Sequence, residues 1–409
     1  MSDATAMTFR EVLSIRAFRR LWTAQLVSVF GDFLAIFAVF AVATFRLHAT
    51  PTEISLILVA FMLPLGVVSP LAGVLVDRWN LKRTMITSDL LRAPIVASLL
   101  FAHSMWQIYA IFFALATVSS FFMPAQSVLV RQIVPRRGWM TGNALMAQAM
   151  QVTQILSPAL AGMLVAWAGP ELCFYFDFAS FFFSAAMVAT LGVSGAHTIE
   201  GRSFGNFWED MTGGLRFIFT HKAVSFVMVA MTAGMFAVRC FGALLAVWVR
   251  DVLRAGPASF GVLNSCVGVG MICATQSVHR FGAKRSKDHL VIFGLGVAAV
   301  FIVLTAAFPG MAATGLGMFG MGFGIAFVFI PSQTLLQHET PPGMMGRVSS
   351  SMMSALAITQ VVALALSGWA AEKIGIRALY FASGALLTAI AAIGMRQLAG
   401  AAAQSRSDS

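Results

Sequence analysis

The chain has 409 residues, 59% of them hydrophobic and only 11% charged, with a mean hydropathy of +0.84. A water-soluble chain covers its surface with about a quarter charged residues, so this composition excludes a soluble globule. The net charge of +11 suits a nucleic-acid binder only if the basic residues cluster for that purpose. By loop assignment about 20 of the Lys and Arg fall on one side of a multi-pass topology, which sets orientation with the basic side cytoplasmic. Topology and anionic lipid headgroups account for that charge, and no nucleic-acid partner is expected.

In chain order, residues 1–20 form a basic lead-in with Arg10, Arg16, Arg19 and Arg20. Six apolar stretches follow at roughly 21–45, 53–76, 84–102, 105–131, 141–168 and 172–194. Each can cover ~30 Å of hydrocarbon at ~1.5 Å per residue. The first is too long for a signal-peptide core, so no cleavable signal is expected. Residues 195–222 are a cytoplasmic linker in which Phe207, Trp208 and Phe217 alternate with Glu209, Asp210 and Lys222. This pattern predicts an amphipathic helix on the membrane surface. Six more stretches run at roughly 223–250, 257–278, 288–308, 310–337, 345–371 and 376–396, and the tail from Ala401 is polar and expected to be disordered.

The fold class predicted is therefore an all-α membrane protein with twelve transmembrane helices in two six-helix bundles. Residues 21–194 form one bundle and 223–398 the other, followed by a cytoplasmic tail at 399–409. Both termini are expected in the cytoplasm. Arg46, Arg250, Arg254, Lys373 and Arg377 fall on the far side, and Arg92 and Arg239 sit inside apolar stretches. Trp22, Trp79, Trp139 and Trp208 form an inner aromatic belt, and Trp106, Trp167, Trp248 and Trp369 an outer one. Cys173, Cys240, Cys266 and Cys273 lack metal-site spacing, and no disulfide, metal or cofactor is expected.

The second half echoes the first. The loop from Asp77 to Arg83 reappears from His279 to Arg285, and Pro124-Ala125-Gln126 as Pro331-Ser332-Gln333. Pro135, Thr153, Gln154, Gly162 and Gly169 recur as Pro341, Thr359, Gln360, Gly368 and Gly375, all at one offset. Repeated halves of six helices imply a transporter whose two bundles rock about a shared site.

Several motifs carry candidate chemistry. The loop with Gly73, Asp77, Arg78, Lys82 and Arg83 places an acid at a helix end beside cations. Such an acid can cap a neighbouring helix N-terminus and latch two bundles in one state. Asp89 and Arg92, three apart, share a helix face and brace that loop. Ser157-Pro158 and Gly162 on the fifth stretch combine a helix bend with close approach. Asp32 lies near mid-membrane, where a carboxylate costs ~2.5–3.5 kcal/mol on insertion scales, so it is a candidate proton carrier. Arg239, at a similar depth on the seventh stretch, is its candidate charge partner or a ligand for an anionic group. Asp177, near the outer end of the sixth stretch, reads as a solvated acid. Gln148, Gln151 and Gln154 form a polar stripe, and Gln126, Gln333 and Gln360 add amides that either glue helices or line a wet path. Met146, Met150, Met235 and Phe236 can line a site for bulky apolar molecules.

The loop after the second stretch resembles the signature of the major facilitator superfamily, glycine-x-x-x-aspartate-arginine followed by a basic pair. Asn80 or Leu81 stands where that signature has glycine, a departure expected to loosen the turn. Gly31-Asp32, Asp89-Leu90-Leu91-Arg92, Pro124-Ala125, Gly346-Arg347-Val348 and Gly214-Leu215-Arg216-Phe217 resemble the macrolide-efflux branch of its drug:proton antiporters, which includes siderophore-exporter-like members. Ser157-Pro158-Ala159-Leu160-Ala161-Gly162 is similar to the antiporter signature of helix 5, with Ser157 and Ala161 replacing glycines. The resemblance implies an inner-membrane, proton-coupled exporter of hydrophobic or amphiphilic compounds, a monomer, with helices 1 and 7 lining the cavity. Two alternatives are an exporter or flippase of a specific amphiphile such as a siderophore or lysolipid, and a non-transporting receptor on the same fold. No nucleotide-phosphate loop and no catalytic constellation is present, so an enzyme is not expected.

Overall fold

The computed structural model describes residues 7–76, 78–192, 216, 218–281, 286–341 and 344–407. All regular structure among them is helical. A short helix, Phe9–Ser14, precedes α1 (Arg16–Ala41), which a π-turn, Val42–Arg46, extends. The first half continues with α2 (Pro51–Val76), α3 (Leu81–Ala97), α4 (Met105–Ile133), α5 (Trp139–Ala168) and α6 (Glu171–Ala189). The second half has α7 (Lys222–Asp251), α8 (Pro257–Phe281), α9 (Lys287–Ala307), α10 (Met311–Glu339), α11 (Met345–Ile374) and α12 (Ile376–Ser407). Twelve helices among the described residues are long and apolar enough to cross a membrane, and the protein is a multi-pass membrane protein. The helix α12 runs through Ser407, past the position near 396 set by the end of the apolar pattern. Most of the linker at 195–222, with its predicted amphipathic helix, lies outside the described residues, as do Asp77 and the loop residues 282–285.

Local chemistry explains where the helices begin and end. Thr8 and Glu11 form a capping box before the first short helix, Thr8 N–H donating to Glu11 Oε2 at 2.7 Å. These bonds to the charged form hold the Glu11 carboxyl below its ordinary value. Asn80 is the N-cap of α3, its Oδ1 accepting the Arg83 N–H at 3.0 Å. The residue expected to loosen this turn instead starts the next helix. Gly169 (φ 86°) and Gly375 (φ 84°) end α5 and α11 in a conformation that only glycine adopts readily. The chain can then turn directly into α6 and α12.

By internal contacts the chain forms two units, the first being Met1–Ala49, Leu56–Arg202 and Gly256–Val262, the second Thr50–Ser55, Ser203–Ala255 and Leu263–Ser409. In the first unit α1 packs on α5 and α6, and α3 on α4 and α6. In the second, α7 packs on α11 and α12, and α9 on α10 and α12. The same four pairings recur six helices later, which is the structural form of the sequence echo. In the first unit Phe18, Leu21, Met85, Phe122, Leu129 and Val188 belong to one buried cluster. In the second, Trp248 donates its indole N–H to Thr314 Oγ1 at 3.1 Å, and Tyr380 its hydroxyl to the Phe241 carbonyl at 3.2 Å. Large rings are thus buried with their polar ends satisfied.

Each unit also takes in the opening turns of one helix by backbone contact. A Cβ on Gly162 would lie 2.8 Å from Gly261 Cα, so α5 and the start of α8 touch main chain to main chain. A Cβ on Gly368 would lie 2.6 Å from Thr52 Cα, bringing α11 against the start of α2. There Glu372 Oε1 accepts the Thr52 N–H at 3.1 Å, and the Ser55 and Ser367 hydroxyls lie 3.3 Å apart. Gly162 and Gly368 are an echo pair, and both perform the same close approach.

Candidate functional site

Four ionisable side chains converge inside the first unit: Asp32 from α1, Asp89 and Arg92 from α3, and Asp177 from α6. The three-residue spacing of Asp89 and Arg92 puts both on one face of α3, and Arg92 Nη2 donates to Asp89 Oδ1. Arg92 Nη1 lies 4.0 Å from Asp32 Oδ2. The guanidinium carbon stands 4.5 Å from the ring centroids of both Phe122 on α4 and Phe181 on α6. Arg92 and Asp89 are buried, whereas the Asp32 side chain keeps 36% of its surface exposed. Asp177 is buried, at 1% exposure, and has no cation within 4.0 Å among the described residues.

The surroundings of Asp177 are built by small residues. Ser180, one turn along α6, lies with Oγ 2.7 Å from the Asp177 carbonyl and 3.2 Å from its Oδ1. A Cβ on Gly31 would lie 2.5 Å from Asp177 Oδ1 and 2.6 Å from Ser180 Oγ. Only a residue without a side chain lets α1 approach α6 here, one position before Asp32. Asp89 Oδ2, Arg92 Nε and Ser184 Oγ are buried without a hydrogen-bond partner among the described residues. The cluster therefore holds three carboxylates against one guanidinium, in a place where unpaired charge is expensive.

This geometry revises several expectations. The cation beside Asp32 is Arg92 of α3, where the depth argument pointed to Arg239 of α7. Arg239 Nε is buried without a hydrogen-bond partner, and the side chain makes no ion pair among the described residues. Asp89 and Arg92 belong to the buried cluster rather than bracing the basic loop. Asp177 is sealed inside the bundle and not solvated, because Gly31 and Ser180 admit it. The flanking rings and the Gly31 approach were missed, although Gly31-Asp32 and the Asp177-x-x-Ser180 spacing were there to be read.

The other candidates divide. Gln126 Nε2 donates to Gln25 Oε1 at 2.5 Å, joining α4 to α1. Gln148, Gln151 and Gln154 are exposed, and Gln333 and Gln360 are half-buried. In the loop after α2, Gly73 is half-buried, and Arg78 and Arg83 are exposed. Asp77 lies outside the described residues, so its expected capping role has no counterpart here. Lys82 Nζ donates to the Leu191 carbonyl at 2.6 Å, and Arg20 Nη1 to the Thr190 carbonyl at 3.0 Å. Two cations thus meet the carbonyl end of α6, where the helix dipole favours them. Ser157 and Pro158 are buried, and Ser157 Oγ has no hydrogen-bond partner among the described residues.

Two six-helix sets with repeated pairings, spanning a membrane and drawing scarce charge into a bundle, define a transporter fold. The chain belongs to the Major Facilitator Superfamily, whose profile matches residues 21–359. It is a transporter of that superfamily and not an enzyme. It is 28% identical over 384 residues to the uncharacterized MFS-type transporter YfiS of Bacillus subtilis, covering 91% of each chain. It is 22% identical over 387 residues to macrolide efflux protein A of Streptococcus pyogenes, covering 92% of this chain and 94% of that protein. Among solved structures, the nucleoside transporter NupG matches with a TM-score of 0.74 at 11% identity, covering 93% of this chain and 99% of that one. That likeness carries the fold alone.

Proposed function

We propose that the protein exports a hydrophobic or amphiphilic small molecule from a bacterial-type cell by proton antiport through alternating access. It acts as a monomer in the inner membrane, with both termini in the cytoplasm. The observation that carries the reading is Asp32: a carboxylate inside a spanning helix, beside a buried arginine, with 36% of its side chain exposed. The similarity to macrolide efflux protein A supports the substrate class. One proton crossing ~100 mV supplies ~2.3 kcal/mol, enough for a ~50-fold gradient of a neutral solute. In this reading Gln126, Gln151, Gln154, Gln333 and Gln360 offer polar contacts to the substrate. The loop from Gly73 to Arg83 latches one state, and Ser157, Pro158 and Gly162 limit leak.

The test is transport in vesicles with an imposed pH gradient, using erythromycin as the macrolide probe. Wild type is expected to accumulate the probe against its gradient, and Asp32→Asn to lose the dependence on pH. Full proton-driven accumulation by Asp32→Asn would remove Asp32 as carrier. A second reading, export of a specific anionic amphiphile such as a siderophore or lysolipid, is favoured by Arg239. A guanidinium nitrogen buried without a partner suits an anionic group. Competition of anionic chelators against erythromycin, in wild type and Arg239→Gln, separates the two.

A further inference from the structure

We propose that Asp177 is the residue on which the coupled proton rests, with Asp32 as its connection to water. This inference rests on the proton-antiport reading above and names a second residue for it. It starts from a count of charge. Arg92 is engaged directly by Asp89 and stands 4.0 Å from Asp32. Asp177 has no cation within that distance among the described residues and is buried at 1% exposure. A carboxylate in a dry interior with no cation against it binds a proton rather than staying charged.

Hydrogen-bond geometry points the same way. The Ser180 hydroxyl has a single hydrogen and faces two oxygens of Asp177, the carbonyl at 2.7 Å and Oδ1 at 3.2 Å. If Asp177 is ionised, both are acceptors and only the nearer is fully served. If Asp177 carries a proton on Oδ1, that proton donates to Ser180 Oγ while Ser180 donates to the carbonyl, and both contacts are made. The groups facing Asp177 are Asp32 from α1, Asp89 and Arg92 from α3, and Cys173 one turn away on α6 itself. Helix α5 brings no charged residue anywhere along its length. The three carboxylates do not form a set that could hold a metal ion among the described residues.

The cycle follows from exposure. A proton from water binds a carboxylate oxygen of Asp32, whose side chain is 36% exposed. It passes to Asp177 Oδ1, which the missing side chain of Gly31 lets lie against α1 one position before Asp32, and Asp32, again ionised, returns to Arg92. Release runs the same steps backwards to the opposite side. No atom is gained or lost beyond that one proton.

Two measurements test this. Infrared difference spectra of the purified protein in lipid vesicles, taken across a pH jump, need no substrate. A protonated-carboxyl component is expected in wild type and lost from Asp177→Asn; an unchanged band in that variant overturns the proposal. In vesicles, Asp177→Asn is expected to retain erythromycin counterflow while its proton-driven accumulation falls from ~50-fold, under a proton-motive force of ~100 mV, to unity. Undiminished accumulation in Asp177→Asn, with wild type proton-driven, overturns this inference and leaves the antiport reading standing. Wild type that ignores the pH gradient overturns both. Should Asp177→Asn fail to fold, Ser180→Ala carries the test: losing the proton's acceptor must shift the carboxyl band, and an unshifted band overturns the proposal.

Discussion

In the first unit α3 meets its neighbours through Asp89, Arg92 and the rings that flank the guanidinium. In the second unit the corresponding helix, α9, meets its neighbours through glycine. A Cβ on Gly294 would lie 2.5 Å from the Gly324 carbonyl oxygen of α10, and one on Gly384 of α12 only 2.5 Å from Val303 Cγ2. Gly317 and Gly320 likewise face Thr305 and Phe301 with no room for a side chain. After Asp288 and His289 the rest of α9 carries no ionisable group. The pairings are thus alike and their substance differs. Close packing against a glycine has one good geometry and ignores pH. A cluster of acids around one guanidinium can change by a proton and keep its shape. Along this helix the first repeat carries groups that can titrate, and the second carries none after His289.

The sharpest way to break this contrast is at Arg92. Arg92→Leu leaves Asp89 buried without its counter-charge and is expected to destabilise the protein by about 3–5 kcal/mol. Thermal unfolding in detergent measures it, and the double variant Asp89→Leu with Arg92→Leu should recover much of the loss. A double variant no better than the single would show that the rings, not the ion pair, dominate.

In the second unit the matching perturbation is steric. A Cβ on Gly322 would lie 2.0 Å from the Val267 carbonyl oxygen of α8. Gly322→Val should cost about 1–3 kcal/mol through overpacking, with the same penalty at pH 5 and pH 8. A penalty that varied with pH would undo the claim that these glycine contacts are indifferent to protons.

The smallest effect lies outside the spans. Glu11 is exposed, and its carboxyl is held below the ordinary value of 4.5 by its bonds to Thr8. Its folded-state value is depressed, so the stability it lends is full above the unfolded value and is lost as pH falls through the folded one. Carbon-13 NMR of labelled Glu11 should show titration below 4.5 in wild type. The titration should move up toward that value in Thr8→Ala, and an unmoved titration would remove the capping box as its cause.

Much of this was legible in the chain. The twelve spans follow from uninterrupted apolar length, and the echo of Gly162 and Gly169 in Gly368 and Gly375 marks two contacts and two turns that the fold repeats. Asp32 stood out because an acid in a spanning helix is costly wherever it points. Its partner was not legible. Depth along a helix can be counted from sequence, but the direction a side chain faces depends on how α1, α3 and α6 rotate against one another. Depth therefore suggested Arg239, and rotation supplied Arg92. Asp177 was misjudged for a similar reason: its shelter comes from the missing side chain of Gly31 on another helix. Asn80 was judged by the glycine it replaces, although its own amide is a good helix cap.

The two phenyl faces about Arg92 have a lasting effect on how this bundle behaves. A ring's attraction for a cation comes from its electron cloud, which gains or loses nothing as acidity changes. The hold of Phe122 and Phe181 on the guanidinium therefore does not depend on the charge of the aspartates around it. Under the proposed proton coupling, the anchor would stay put while its counterions change, so the cycle would not loosen it.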